Sequence, residues 1–390
     1  MKKKFFVLFL SLVMSCMMIF GLTACNSNNK SLKLDKDGEF KILQLTDTQF
    51  SQSGKMTGES KLLLDNLIDE ADADLIVITG DIISAEHWLG FYPSYKEDSE
   101  KLVQFCGEIR DYFDSKKTPW TLTFGNHDGL TVTDKVEKYK DIRKKMLDAY
   151  SAGEYFIGGT DAESKDYNCF NDPNEMSYTN FSFPIKDRNG KTAYNIYTLD
   201  CYPVGGGYPP LLDTQVDFYK KESARLKEAN GGNIVPSLIF YHESLPSFVS
   251  MKRDYDVNNG SGKTKVMKGA FGDKMFGGPQ ENAKIEEAMI ANKDIIGVFV
   301  GHDHLNTLAG YYEMVDGYKV LLGYGRMSAI ADYMYAGLSR TNFIRGGRVI
   351  ELNNGNIKTY EILCTPDDIN ANPFTSYTLS TANEINTANY

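Results

Sequence analysis

An α/β fold built on two stacked mixed sheets is what this sequence predicts. Three observations carry it. Between residues 40 and 128, short apolar runs alternate with segments of helical period. A βαβαβ order of this kind favours a parallel sheet covered by helices. The middle of the chain is richer in strands joined by tight turns, which brings other pairings into the sheets. With 390 residues, 42% of them hydrophobic, the chain can bury one large core or two modest ones.

Each element follows from its residues. KILQLT (41–46) is an apolar run fit for a buried strand. ESKLLLDNLIDEADA (59–73) places Leu63, Leu64, Leu67, Ile68 and Ala71 at helical spacing. DLIVITGD is the next strand, KLVQFCGEIRDYF (101–113) the next helix and WTLTFGNHD (120–128) the third strand. MSYTNFSFPI and TAYNIYTLDC read as strands around a turn at Arg188-Asn189-Gly190-Lys191. A helix over about 214–229 stops at Gly231-Gly232. PSLIFYHESLP, a helix near NAKIEEAMIA (282–291) and the strand IIGVFVGHDH follow. Two late hairpins turn at Asp316-Gly317 and Asn354-Gly355. The polar, Asn/Thr-rich residues 364–390 read as a loosely packed tail. No internal repeat is visible.

The N-terminus stands apart from this body. Three lysines precede an uncharged run from Phe5 to Leu22, long enough to be mistaken for a membrane span. Leu22-Thr23-Ala24-Cys25 resembles the lipobox of a bacterial lipoprotein. That resemblance implies cleavage before Cys25 and lipid on its sulfur; an uncleaved anchor is the alternative. Either way the body is expected outside the cytoplasmic membrane, held to its extracytoplasmic face. The organisation is then 1–25 signal, 26–38 polar tether, 39–363 one catalytic-sized domain and 364–390 tail. Loss of the signal removes three lysines and no acid, taking the net charge from −10 to −13. An acidic body argues against broad nucleic-acid or anionic-membrane binding. A phosphorylated substrate stays open, because bound cations would dominate the local field. Cys106, Cys169, Cys201 and Cys364 are scattered without zinc-finger spacing, and one or two disulfides are open outside the cell.

The chemistry lies at the strand ends. The first strand delivers Asp47 and Gln49, the second Asp81, the third Asn126, His127 and Asp128. FYHE delivers His242, and FVGHDHL delivers His302 and His304. Four of the chain's five histidines fall in this ordered set. In an extended segment His302 and His304 point the same way and Asp303 elsewhere. Polar residues at strand carboxyl ends converge on one crevice in open α/β sheets.

Taken together, the D-x-Q, GD, GNHD, H and GHDH series resembles the calcineurin-like metallophosphoesterases. FYHESLP, GHDHLN and LLGYG are similar to a subgroup related to purple acid phosphatases. The resemblance implies a four-layer α/β/β/α sandwich with a two-metal site at the strand carboxyl ends. It implies that Asp81 bridges two divalent ions, that Asp47, Gln49 and His304 complete one shell, and that Asn126, His242 and His302 complete the other. Two cations about 3.5–4 Å apart need an anionic bridge and generate a hydroxide nucleophile at neutral pH. By the same resemblance His127 stabilises charge or protonates the leaving oxygen, and Asp128 orients His127, with the capping of a following turn the alternative for Asp128.

Two departures bear on this expectation. Gln49 stands where the family more often has histidine. A neutral amide oxygen is the harder and weaker ligand, tilting that position toward Mn, Mg or Ca, or toward water. Ser84 stands where the iron-binding purple enzymes have tyrosine, so no tyrosinate colour is expected. Fe and Zn remain candidates among the ions. His87 reads as a surface or capping residue. The Gly205–Tyr208 stretch GGGY lacks the lysine and helix of a phosphate loop and reads as a loop near the cleft. Glu243, Asn282 and Arg326 are substrate-side candidates, with a solvated turn acid the alternative for Glu243 and a structural ion pair for Arg326. The expected protein is a lipid-anchored, metal-dependent hydrolase of phosphate monoesters on small molecules or surfaces. A diesterase using the same site is the alternative, and a non-catalytic binding lipoprotein the rival from another class.

Overall fold

The computed structural model describes residues 31–50, 55–83, 99–128, 141–159, 167–201, 210–273, 276–278, 283–330 and 344–390. The lipobox with Cys25, as well as Ser84, His87, Asn282 and the GGGY stretch, lies outside the described residues. Fifteen strands and six α-helices are described. The strands are β1 (Leu32–Lys33), β2 (Glu39–Leu45), β3 (Leu75–Thr79), β4 (Trp120–Thr123), β5 (Asn168–Asp172), β6 (Ser177–Lys186), β7 (Thr192–Thr198), β8 (Ser237–Phe240), β9 (Thr264–Lys268), β10 (Ile295–Val300), β11 (Ala309–Val315), β12 (Tyr318–Tyr324), β13 (Arg345–Asn353), β14 (Asn356–Pro366) and β15 (Tyr377–Asn386). The helices are α1 (Gly58–Ala71), α2 (Ser99–Ser115), α3 (Ile142–Ser151), α4 (Asp213–Ala229), α5 (Pro246–Asn258) and α6 (Ala283–Asn292). None of them is long and apolar enough to cross a membrane.

The strands form two mixed sheets. One runs β15-β14-β13-β2-β3-β4, with β2, β3 and β4 parallel and the other pairs antiparallel. The other runs β1-β6-β7-β8-β10-β12-β11-β9, with β5 beside β6; its centre, β7-β8-β10-β12, is parallel. Strand alternation divides the core between layers. Leu238, Phe240 and Phe299 join the apolar interior shared with Ile42 and Val77 of the first sheet. Their neighbours Ile239, Val298 and Val300 pack with Val216 and Tyr219 of α4, Phe248 of α5 and Met289 of α6. The first sheet is covered by α1, α2 and α3, whose Leu63, Leu67, Phe105, Phe113 and Met146 join the same continuous apolar cluster. The result is the four-layer α/β/β/α arrangement.

Local rules explain most element ends. Thr57 caps α1 by accepting from Ser60 N at 3.0 Å, and Asp72 closes it in the left-handed conformation. α5 begins with Pro246 and ends at left-handed Asn259.

Residues 364–390 are not a loose tail. β15 lies antiparallel along β14, from Lys358↔Asn386 to Pro366↔Tyr377. Polar composition misleads here because an edge strand needs apolar residues on one face only, and its backbone is satisfied by β14. Cys106, Cys201 and Cys364 are buried free thiols, and Cys169 is buried as well.

Candidate metal centre

Every site residue lies just beyond the carboxyl end of a strand. Asp47 and Gln49 follow β2, Asp81 follows β3, and Asn126 and His127 follow β4, all from one sheet. His242 follows β8, and His302 and His304 follow β10, from the other. The crevice between the two sheets' ends is therefore lined from both sides. The backbone there is unusual: Asp47, Gln49, Asp81 and His302 have φ of 50°, 45°, 49° and 70°. The glycines of the motifs are dictated by closeness. A Cβ on Gly125 would stand 2.2 Å from Asp81 Oδ1, and one on Gly301 would stand 1.9 Å from Thr46 Oγ1.

Two ligand groups share one residue. Asp81, His242 and His302 form the first, and Asp47, Asp81 and His304 the second, each with donor atoms within 4.8 Å of one another. In the first, His242 Nε2 is 3.0 Å from Asn126 Oδ1, 3.2 Å from His302 Nδ1 and 3.2 Å from Asp81 Oδ2. His302 Nδ1 is also 3.0 Å from Asn126 Oδ1. In the second, His304 Nε2 is 3.2 Å from Asp47 Oδ1. Donors bound to one ion at about 2.0–2.2 Å stand about 3–3.4 Å apart, so these spacings suit a shared cation.

The donor chemistry points the same way. His242 Nδ1 lies 2.8 Å from the Thr79 carbonyl, which can only accept, so Nδ1 carries the proton. In the neutral ring Nε2 then offers a lone pair to a cluster of other acceptors. Asp47 Oδ1 is buried and receives no hydrogen bond. Burial would lower the His242 imidazolium, but the Asp81 carboxylate outweighs it and pushes His242 up to about 10. Burial, then the positive charge on His242, push His302 down to about 3. Burial would raise Asp81; His242 and His127 hold it well below the usual carboxylate range instead. The cluster calls for positive charge, and the residues present fit metal ions.

Gln49 donates from Nε2 to Asp81 Oδ2 at 3.2 Å, and half a turn of the amide would bring Oε1 to the same place. His127 donates its backbone N–H to Asp81 Oδ1 at 2.8 Å, and its ring Nε2 lies 3.9 Å from Asp81 Oδ2. Its side chain is 28% exposed, against 0% for His242 and 9% for His304. His127 is thus more open to an incoming molecule than His242 or His304.

The expected role of Asp128 is corrected. Its carboxylate accepts from the backbone of Ile82, Ile83 and Gly125 at 2.9, 3.0 and 2.8 Å and is not engaged in orienting His127. Fully buried, it clamps the loop after β3 to the loop after β4; burial, then Asp81, push it up to about 6. Glu243 is neither a solvated acid nor substrate-facing: it is fully buried and accepts from the Cys201 thiol at 3.2 Å. Burial pushes it up to about 8. Arg326 makes the ion pair, at 2.7 Å to Glu361. Sequence reasoning passed over Thr46, whose hydroxyl donates to Asp47 Oδ2 at 2.7 Å, and the carbonyl of Thr79. Only their place beside the ligand aspartates could have signalled them.

Two ligand groups joined by one aspartate, at the mouth of a four-layer sandwich, define a metallophosphoesterase framework. A family model described as Calcineurin-like phosphoesterase matches residues 40–306, spanning every residue of the site. The chain belongs to the calcineurin-like phosphoesterase family. Among curated proteins it is similar to Probable inactive purple acid phosphatase 29 of Arabidopsis thaliana, 26% identical over 342 residues, covering 78% of this chain and 76% of that protein. Probable inactive purple acid phosphatase 14 of the same plant is 23% identical over 331 residues, covering 77% and 74%. A solved dimetal phosphatase from Danio rerio covers 82% of this chain and 95% of its own at 10% identity and a TM-score of 0.48. GAP50, the anchor in the inner membrane complex of Plasmodium, covers 88% and 89% at 12% identity and a TM-score of 0.45.

Proposed function

We propose that this protein is a two-metal phosphoesterase that hydrolyses phosphate monoesters. The observation that carries the reading is Asp81, common to both ligand groups. Bound there, a pair of divalent ions supplies a hydroxide-like nucleophile at neutral pH and neutralises the phosphoryl oxygens. The chain's residues supply the rest. Asp81 holds the two groups together while Asp47, His304 and the Gln49 amide face one side and Asn126, His242 and His302 the other. Thr79 fixes the tautomer of His242 through Nδ1. His127, more open than His242 or His304, is placed to deliver a proton to the leaving oxygen. Asp128 keeps the His127 loop in register with Asp81. Nothing in this arrangement selects a monoester over a diester, so the diesterase is the neighbouring reading. The N-terminal sequence supports placement on the extracytoplasmic face of the cell membrane through lipid on Cys25, with phosphorylated small molecules or surface groups as substrates.

A second reading, capture of a phosphorylated solute or metal without turnover, is favoured by Gln49 and by the names of the two plant relatives. One experiment separates the two. Protein stripped of metal is assayed with nitrophenyl phosphate and its bis-ester after addition of Mn, Fe, Zn, Mg or Ca. Turnover restored by metal and lowered about 10²-fold or more in His127→Ala, with metal content kept, supports the hydrolase; Asn126→Ala lowers it as well. Metal binding with no turnover of either ester would rule the hydrolase out and leave the binder.

A further inference from the structure

Residues 276–278 carry no ligand, yet they lie between the two histidine-bearing turns. The Gly277 N–H donates to both carboxylate oxygens of Asp303, at 3.0 and 2.9 Å. The Gly277 carbonyl accepts from Ser244 N at 3.1 Å. Asp303 is 7% exposed, and its Oδ2 also accepts from the buried Tyr324 hydroxyl at 2.6 Å. One glycine thus ties the turn that carries His242 to the turn that carries His302 and His304.

The contact with His302 is close. A Cβ built on Gly277 would stand 2.2 Å from His302 Cδ2 and 2.6 Å from its Nε2. These atoms are the back of the ring, because Nδ1 is the atom facing Asn126 and His242. Any side chain at 277 would push the imidazole toward the crevice or part the two turns. At φ 70° the His302 backbone is in a region that a β-carbon disfavours, so its neighbours must hold it there.

We propose that Asp303, acting through Gly277, is a positioning residue that holds the Nδ1 face of His302 on the ion shared with Asp81 and His242. The Asp303 carboxylate seats the glycine peptide behind a ligand ring. The carboxylate is well used for this, since three hydrogen bonds satisfy it away from water. Residues that orient a ligand ring typically cost 10–100-fold in metal affinity when lost. The nearest neighbours of a Gly277 Cβ are His302 and Asp303, not Asp47, Asp81 or His304, so the other group feels a change there only through the shared turn, where His302 N donates to Asp47 Oδ2 at 3.0 Å. This inference rests on the two-metal reading.

The test is Mn²⁺ titration of the metal-free full chain by calorimetry, which reads each ion without reference to activity. The original protein binds two ions. Gly277→Ala and Asp303→Ala weaken one ion about 10-fold or more and the other distinctly less. Asp303→Asn, whose amide oxygen still accepts from Gly277, keeps both. Adding His304→Ala to Gly277→Ala weakens the second ion as well, whereas adding His242→Ala weakens further the ion that Gly277→Ala already affects. Both ions binding as in the original protein, both weakening alike, or Asp303→Asn failing as Asp303→Ala does, would overturn the proposal. Should Gly277→Ala and Asp303→Ala not fold, Tyr324→Phe decides by the same measure, since it removes only the hydroxyl that steadies Asp303. An original protein that binds no Mn²⁺ would overturn the two-metal reading itself, and the positioning role with it.

Discussion

At the scale of single residues, the site is held in shapes that side chains ordinarily avoid. Left-handed backbone at a non-glycine residue costs about 1–3 kcal/mol, and Asp47, Gln49, Asp81 and His302 all adopt it. Bonds between the loops over-determine them: Asp47 N donates to the Gly80 carbonyl at 3.1 Å and Gln49 N to that of Asp81 at 2.9 Å. Buried acids elsewhere are subject to the same physics without the function. Asp294 is 4% exposed and accepts from the Tyr219 hydroxyl at 2.5 Å. Burial raises its carboxyl above the usual value of 3.8, with the Tyr219 bond offsetting only part. A raised carboxyl favours the folded state at low pH, and that contribution is lost as pH rises through the raised value. Asp294→Asn cannot ionise, so its urea midpoint should gain on that of the original protein as pH rises from the usual value of 3.8 through the raised one. A difference that stays constant with pH would contradict this.

At the scale of elements, what could be read in advance followed periodicity. β2, β3, β4, α1 and α2 are legible because each has an unbroken apolar face, and the two late hairpins because Asp316-Gly317 and Asn354-Gly355 suit their turns. The ligands were legible because they recur after such strands. α5 was not, since only Ser247, Phe248 and Met251 of its residues are buried and an apolar residue, Val257, stands 77% exposed on it, which blurs the period. α3 was overlooked although Ile142, Met146, Leu147 and Tyr150 keep a helical face. Asp128 was misjudged because sequence shows that it neighbours His127 but not that three backbone amides reach it first. The polar end of the chain was misjudged because its anchor is a few residues rather than a pattern. Phe374 is 2% exposed, lies 5.0 Å beneath the Arg345 guanidinium and donates its backbone N–H to Glu59 Oε1 at 2.6 Å. Phe374→Ala should cost about 3–5 kcal/mol in denaturant unfolding. A loss below 1 kcal/mol would mean that β15 holds its place without that anchor.

At the scale of the whole molecule, the ligands come from both sheets, so metal binding and the docking of the sheets stabilise each other. Ion at about 100 times its Kd should add roughly 2.7 kcal/mol per site, seen as a rise in Tm that Asp81→Asn abolishes. A rise that survives Asp81→Asn would place the binding elsewhere. The route of the chain has its own consequence. β2 sits between β3 and β13, and its pairing runs from Glu39↔Asn353 to Gln44↔Arg348. The strand that presents Asp47 is among the first to be synthesised, and its second neighbour is among the last. Until β13 arrives, one edge of β2 stands open, the kind of edge on which other strands add and chains aggregate. Contacts of such long sequence separation also slow folding. A nascent chain halted before β13 would hold every ligand of the site and still lack half of the sheet that aims the first of them.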